Sequence, residues 1–224
     1  YGNAILQRPG TVVFEAAQGV LLDEWRGFHP YTTWSTTTLA NAEALLAEAQ
    51  YSGAVARIGI SRAYATRHGA GPFVTEDTTL SALLPDACNH NGAWQQHFRV
   101  GWLDLVTLRY AVAVAGKLDA LALTCLDRLV GYPSIQLCTH YTLPNGQRID
   151  ALTPSPQMQD LAYQAQLTTL VQKCQPHYAG LADVAQLPGR LATALRIPVA
   201  ICSYGPTAQD KRCHPTAYPA RVQM

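Results

Sequence analysis

An α/β fold is expected, a mostly parallel mixed sheet flanked by helices with a β-hairpin added to it. Three observations point there. Short β-branched or apolar runs alternate with longer segments of helix formers along the whole chain. Gly and Pro mark the boundaries between them. No internal repeat or low-complexity tract breaks the alternation, so residues 1–224 are read as a single domain.

Taken in order, Thr11, Val12, Val13 and Phe14 form a β-branched and aromatic run behind Pro9-Gly10, which predicts a first strand. Thr32, Thr33, Ser35, Thr36, Thr37 and Thr38 then precede residues 39–50, a stretch dense in helix formers. Hydroxyls and free N–H groups at a helix start suit an anion, and equally suit plain helix capping. Residues 54–60 read as a short buried strand leading into Arg62 and Arg67, and Gly69-Ala70-Gly71-Pro72 is a loop of permissive backbone. Residues 77–100 lose all pattern, with Pro85, Asn89, Asn91 and Gly92, and read as one long irregular loop. Leu105, Leu108, Val112 and Ala115 recur at helical spacing within residues 102–115. Residues 119–125 form an apolar strand. Residues 135–141 and 148–152 make a hairpin about Leu143-Pro144-Asn145-Gly146. Helices are expected over 157–174 and 181–196, parted by Pro176 and Gly180. A last strand, 198–203, delivers Tyr204-Gly205-Pro206, and an extended tail covers 212–224.

Composition narrows the function. With 48% hydrophobic residues the chain can bury a sizeable core. A net charge of +1 and a pI near 7.8 give no electrostatic case for nucleic acid. The best membrane candidate, residues 110–124, is interrupted by Lys117 and Asp119 and is too short to span. The six cysteines (Cys88, Cys125, Cys138, Cys174, Cys202, Cys213) contain no Cys-x-x-Cys pair, and several sit in apolar runs as buried free thiols do. The chain opens with neither a secretory signal nor an initiator Met, as a piece of a longer protein does. The expectation is a cytoplasmic protein without membrane or nucleic-acid partners. The histidines show no metal-ligand spacing, and no Gly-x-Ser-x-Gly or Cys/His nucleophile stands out.

Three blocks carry a resemblance. Phe14-Glu15-Ala16-Ala17-Gln18-Gly19 with Pro30-Tyr31-Thr32-Thr33 is similar to Phe-Glu-Gly-Ala-Gln-Gly and Tyr-Pro-x-Val-Thr of the adenylosuccinate synthetase family. Residues 62–76, Arg-Ala-Tyr-Ala-Thr-Arg-His-Gly-Ala-Gly-Pro-Phe-Val-Thr-Glu, resemble that family's Lys-Ala-Tyr-x-Thr-Arg-Val-Gly-x-Gly-Pro-Phe-Pro-Thr-Glu. Gly101-Trp102-Leu103-Asp104 through Arg109 fits in order and spacing. The resemblance runs from about residue 11 to about residue 212.

The resemblance implies a ligase that joins aspartate to carbon 6 of inosine monophosphate using GTP and magnesium. It implies that Gln18 lies near the base and Thr33 at the 5′-phosphate. Asp127 matches the aspartate that reads guanine N1 and N2, and Ser203, Gly205 and Pro206 match the second guanine-side loop. A helix-start cap remains the alternative for Asp127. The companion lysine of that family motif is Cys125 here. The family's arginine run before Gly-Trp clamps the aspartate carboxylates, because arginine forks bind carboxylates in pairs. This chain has Gln96-His97-Phe98-Arg99 there, so Arg99, with Arg67 nearby, is what remains. Losing such forks costs roughly 2–5 kcal/mol each by buried-pair values. No Gly-Asp-x-Gly-Lys-Gly-like or Gly-x-x-x-x-Gly-Lys-Ser/Thr loop is present, so the main phosphate and magnesium site lies outside this sequence, and no catalytic or metal-ligating residue is assigned. The open readings are a ligase part that needs a further N-terminal segment, a degenerate purine-nucleotide binder, and a scaffold. The family habit of sharing sites between subunits implies a homodimer.

Overall fold

A computed structural model describes residues 2–86, 89 and 96–214. The elements run α1 (Gly2–Leu6), α2 (Ala40–Glu48), β1 (Ile58–Arg62), β2 (Ala65–His68), α3 (Thr78–Leu83), β3 (Phe98–Gly101), β4 (Leu103–Asp104), α4 (Leu105–Ala115), β5 (Ala120–Thr124), β6 (Ile135–Thr142), β7 (Arg148–Ile149), α5 (Leu161–Val171), β8 (Gln175–Leu181), α6 (Leu187–Leu195), β9 (Val199–Ser203) and β10 (Lys211–Cys213). The α/β class expected from the sequence holds. The central sheet has the order β1-β5-β9-β10, its first three strands parallel and β10 antiparallel. β2 and β3 form an antiparallel ribbon. β6 centres a further sheet, parallel to β4 and antiparallel to β7 and β8.

β5 reads Ala-Leu-Ala-Leu-Thr and is buried over its first four residues, as a strand flanked on both edges should be. Its Leu121 and Leu123 pack with Leu126, Leu129, Leu187 and Leu191 into the main core. Truncating Leu126 or Leu187, both at 0% exposure, to alanine would cost about 2–5 kcal/mol. A second core gathers Phe28, Val106, Tyr110, Cys138, Tyr141, Leu152, Leu167 and Val171 between α4, α5 and β6. α4 starts where the Asp104 carboxylate accepts from Val106 N at 2.9 Å and Thr107 N at 3.3 Å, and it ends at Gly116 with φ 75°.

Several expectations are corrected. Residues 11–14 form no strand and pair with nothing described, and Val13 is 80% exposed; β-branching alone does not make a strand without a neighbour. The stretch 77–100 is not one irregular loop. The Asp77 carboxylate accepts from Leu80 N at 2.9 Å and starts α3, and β3 closes the stretch against β2; residues 87–88 and 90–95 of it lie outside the described set. Pro176 and Gly180, read as breakers between helices, lie inside β8. Among the described residues that strand pairs only with β6, and an edge tolerates a residue lacking N–H. Residues 211–213 pair with β9 instead of trailing away, while the rest of the expected tail, 215–224, lies outside the described residues. Cys138 and Cys202 are buried free thiols, Cys213 is exposed, and Cys88 is outside the described residues. Among the described residues no helix is long and apolar enough to cross a membrane.

Candidate functional site

Asp127, Gly205 and Pro206 lie on the loops that leave the carboxyl ends of β5 and β9, with Ser203 closing β9. Open α/β sheets bind ligands along that edge. Gln18, Thr33, Arg67 and Arg99 group instead around the Gly69–Pro72 loop that follows β2. β1 and β5 stay paired to their last residues, Arg62 opposite Thr124, and Ala63 N then donates to Thr124 O at 2.8 Å.

The first loop holds Gln18 and Thr33. Gln18 adopts φ 67°, a left-handed backbone rare for a non-glycine residue and often found at binding sites. Its Nε2 donates to Thr33 Oγ1 at 3.2 Å, and both groups lie at the surface. Thr33 N donates to Leu22 O at 2.7 Å, so the hydroxyl is held by its own backbone. Asp23 organises the turn between them. It is 1% exposed, and its carboxylate accepts from Trp25 N, Arg26 N, Thr37 N and Thr37 Oγ1 at 2.9, 3.0, 2.7 and 3.4 Å. Below it Phe28 is buried against Tyr110, whose hydroxyl donates to Arg26 O at 2.6 Å. Of the remaining hydroxyls, Thr36 donates to Glu24 at 3.3 Å and Thr38 accepts weakly from Ala40 N at 3.4 Å.

The second loop is Gly69-Ala70-Gly71-Pro72, gripped by two arginines that sit directly opposite each other in the β2–β3 ribbon. Arg67 donates through Nε to Ala70 O at 3.0 Å and through Nη2 to Tyr31 O at 2.9 Å. One guanidinium therefore ties the glycine loop to the turn carrying Thr33. Burial, and then the nearby Arg99 charge, pushes its pKa down to about 10. Gly71 has φ 109°, and a Cβ there would stand 2.4 Å from Arg67 Nη2 and 2.8 Å from Tyr31 Cβ, so only glycine fits. Arg99 meets Glu76 in a two-toothed ion pair, Nε to Oε1 at 2.9 Å and Nη2 to Oε2 at 2.5 Å. Its Nη1 donates to the carbonyls of Gly69 and Gly71, both at 3.0 Å. Arg99 is thus engaged in building the loop. Gln96 and His97 are described, but residues 90–95 before them are not.

The third group sits where β5 and β9, parallel neighbours with Leu123 opposite Cys202, release their loops side by side. Cys125 takes φ 60° and turns the chain into a 3-10 helix, Leu126–Leu129, anchored by buried Leu126 and Leu129. Asp127 projects from that turn into solvent, and among the described residues its carboxylate has no hydrogen bond or ion pair. It does not cap the helix, a position held by Cys125. Opposite, buried Ser203 donates to Gly205 O at 3.1 Å, and Lys211 Nζ donates to the same carbonyl at 2.6 Å and to Thr207 O at 2.9 Å. Thr207 and Asp210 form a capping box, and a Cβ on Gly205 would stand 2.6 Å from Asp210 Oδ2. This loop is held shut from within. Beyond it a hollow of about 450 Å³ lies between α6 and β9, lined by Pro188, Ala192, Cys202, Tyr204 and Arg212.

Among the described residues no group of three or more His, Cys, Asp or Glu side chains is placed to hold a metal ion. The sequence reading missed Asp23 and the Arg99–Glu76 pair as loop organisers. The only signal for either was a lone acidic residue within a resemblance block.

A family model described as adenylosuccinate synthetase matches residues 2–211. The adenylosuccinate synthetase of Lactobacillus delbrueckii subsp. bulgaricus is 37% identical over 188 residues, 81% of this chain and 39% of that protein. The adenylosuccinate synthetase of Proteus mirabilis is 40% identical over 149 residues, 64% of this chain and 33% of that protein. Among solved structures, the fully ligated adenylosuccinate synthetase of Plasmodium falciparum superposes with a TM-score of 0.73 at 21% identity, covering 89% of this chain and 49% of that one. The succinoaminodeoxyadenylate synthetase of cyanophage S-2L, bound to dGMP and to dATP as an energy donor, superposes with a TM-score of 0.51 at 15% identity over 92% and 46%. At those identities the structural matches show a common fold. The chain spans less than half the length of the relatives it matches.

Proposed function

The chain belongs to the adenylosuccinate synthetase family, and we propose that it supplies the purine-nucleotide-binding part of a GTP-dependent ligase. That ligase would join aspartate, or another amine, to carbon 6 of inosine monophosphate. The observation that carries the reading is the Gln18–Thr33 contact. Thr33 Oγ1 accepts from Gln18, so its own proton is directed to another acceptor, as a 5′-phosphate oxygen provides. The Gln18 amide keeps its carbonyl oxygen and a second N–H for the edge of a base. Arg67 and Arg99 would hold the neighbouring glycine loop in place, their carbonyl partners making them positioning residues.

Asp127 would read guanine. An exposed carboxylate accepts the paired donors N1–H and N2–H that guanine presents, and Ser203, Gly205 and Pro206 would wall the other side of the base. GTP supplies the phosphoryl group that makes the purine 6-oxygen a leaving group. This chain's part is to hold the two nucleotides. A homodimer is proposed by family habit, and size-exclusion chromatography with light scattering tests it.

The decisive experiment is thermal denaturation with inosine monophosphate. A melting temperature that climbs with ligand concentration is expected, and no shift at millimolar ligand overturns the purine reading. A second reading, a purine binder without ligase activity, is favoured by Gln96, His97 and Phe98 standing where the family has arginines. Ligation measured with the rest of the fold supplied separates the two: binding without adenylosuccinate formation supports the second. The dGMP and dATP in the cyanophage structure support testing deoxyguanosine monophosphate and dATP alongside.

A further inference from the structure

Alternation along β9 and β10 brings four side chains to one face of the central sheet. Cys202 lies opposite Arg212 in the antiparallel register, and Tyr204 and His214 follow two residues further along each chain. His214 N donates to Ala200 O at 2.8 Å, so the ladder runs on past β10. α6 lies over this face, but its Leu187 and Leu191 turn into the main core. What it presents above β9 is Pro188, Gly189 and Ala192, and a Cβ added to Gly189 would meet no atom within 4 Å. Short side chains on the helix therefore leave a hollow of about 450 Å³, floored by buried Cys202 and walled by Tyr204 and Arg212. Burial pushes the Cys202 thiol up, so that floor is uncharged at neutral pH.

The charge in the hollow has one sign. Arg212 Cζ stands 4.6 Å from the centre of the Tyr204 ring, and among the described residues no carboxylate pairs with that guanidinium or lines the hollow. The acids closest in sequence are engaged elsewhere. Asp183 accepts from Ala185 N at 2.8 Å, and Asp210 accepts from Thr207 N and Oγ1 at 2.8 and 2.6 Å. The hollow runs along β9 toward Ala200 and His214, away from the carboxyl edge that carries Asp127 and Gly205.

We propose that this hollow is a second small-molecule site, one that takes a planar aromatic carboxylate. The guanidinium fork of Arg212 holds the carboxylate, and the ring lies between Tyr204 and the short side chains of α6. The volume is that of a small-molecule site, and its make-up, apolar walls with a few polar groups, is the usual one. Residues 215–224 contain no Asp or Glu, so charge complementarity does not favour them as its cover. The proposal stands on the hollow and not on the purine pocket.

The test titrates the full chain, isotopically labelled, with naphthalene-2-carboxylate and with naphthalene-2-carboxamide as its uncharged match, reading amide and Arg212 side-chain resonances. Saturable shifts at Gly189, Ala192, Tyr204 and Arg212 are expected, with the carboxamide binding about tenfold or more weakly. Arg212→Gln should erase that preference. Gly189→Leu should fill the hollow and abolish binding of both probes, with the melting temperature unchanged or higher because a helical glycine is replaced. No saturable shift at millimolar carboxylate, equal binding of the two probes, or binding that survives Gly189→Leu would each overturn the proposal. Melting with inosine monophosphate reports on the purine pocket separately, so either idea can fail alone.

Discussion

Gln18 Nε2 and Thr33 Oγ1 lie 3.2 Å apart across fifteen residues of sequence, and the turn between them is closed by the buried carboxylate of Asp23. Thr33→Val removes the hydroxyl and keeps the shape. Purine monophosphate binding should weaken about 10- to 100-fold, the worth of a hydrogen bond to a charged group, with the unliganded melting temperature nearly unchanged. Isothermal titration checks both halves of that statement; unchanged affinity would remove Thr33 from the pocket.

Asp23→Ala should destabilise the protein by about 2–4 kcal/mol, since it strands the N–H groups of Trp25, Arg26 and Thr37 at once. Urea denaturation measures the loss. The reverse pattern, intact stability, would mean that the second core alone holds the turn.

Gly71→Ala combines a left-handed backbone with a clash against Arg67 Nη2 and Tyr31. A cost of about 1–3 kcal/mol is expected, with faster amide exchange in residues 31–33, because Arg67 must release Tyr31 O. Gly10→Ala, also at positive φ but with no atom within 4 Å, separates the strain from the clash.

Asp127→Asn should leave stability within about 0.5 kcal/mol, as exposed substitutions do. It replaces two acceptors by one donor and one acceptor, which suits the 2-oxo group of xanthine better than the 2-amino group of guanine. With the rest of the fold supplied, nucleotide preference should move from GTP toward xanthosine triphosphate by about tenfold or more. Equal use of GTP by both proteins would place guanine elsewhere.

Asp104 is 4% exposed, and burial holds its carboxyl above the usual Asp range despite bonds from Tyr141, Thr107 and Val106. A raised folded pKa gives a stabilising contribution that is complete below the unfolded value of about 3.9 and is lost as pH rises through the folded one. Asp104→Asn keeps an acceptor for the α4 cap and removes the buried charge. The variant should lose less stability than wild type between acid and neutral pH, whereas Asp104→Ala should cost about 1–3 kcal/mol throughout. Denaturant melts across pH distinguish the two.

The periodic parts of this fold were legible in the sequence. Leu105, Val112 and their neighbours show a helical period, and the short apolar run at β5 reads as a covered strand, which it is. What failed depended on partners that the sequence does not display. Residues 11–14 had the propensity of a strand but no pairing neighbour among the described residues, and β8 kept its strand through Pro176 because β6 supplies the pairing. At the candidate site, resemblance marked Gln18, Thr33 and Asp127, whereas the roles of Asp23, Glu76 and Arg99 arise from contacts between segments far apart in sequence. Long-range hydrogen bonds leave no local pattern.

Arg67 and Arg99 face each other across β2 and β3, and Glu76 is the acidic partner of this pair among the described residues. The ribbon therefore keeps about one unit of surplus positive charge, partly out of water, beside the loops that carry Thr33 and Gly71. Its field reaches roughly 10 Å in 0.1 M salt. A phosphate-bearing molecule would be drawn in before it touches anything, so ionic strength should govern how fast it arrives far more than how long it stays.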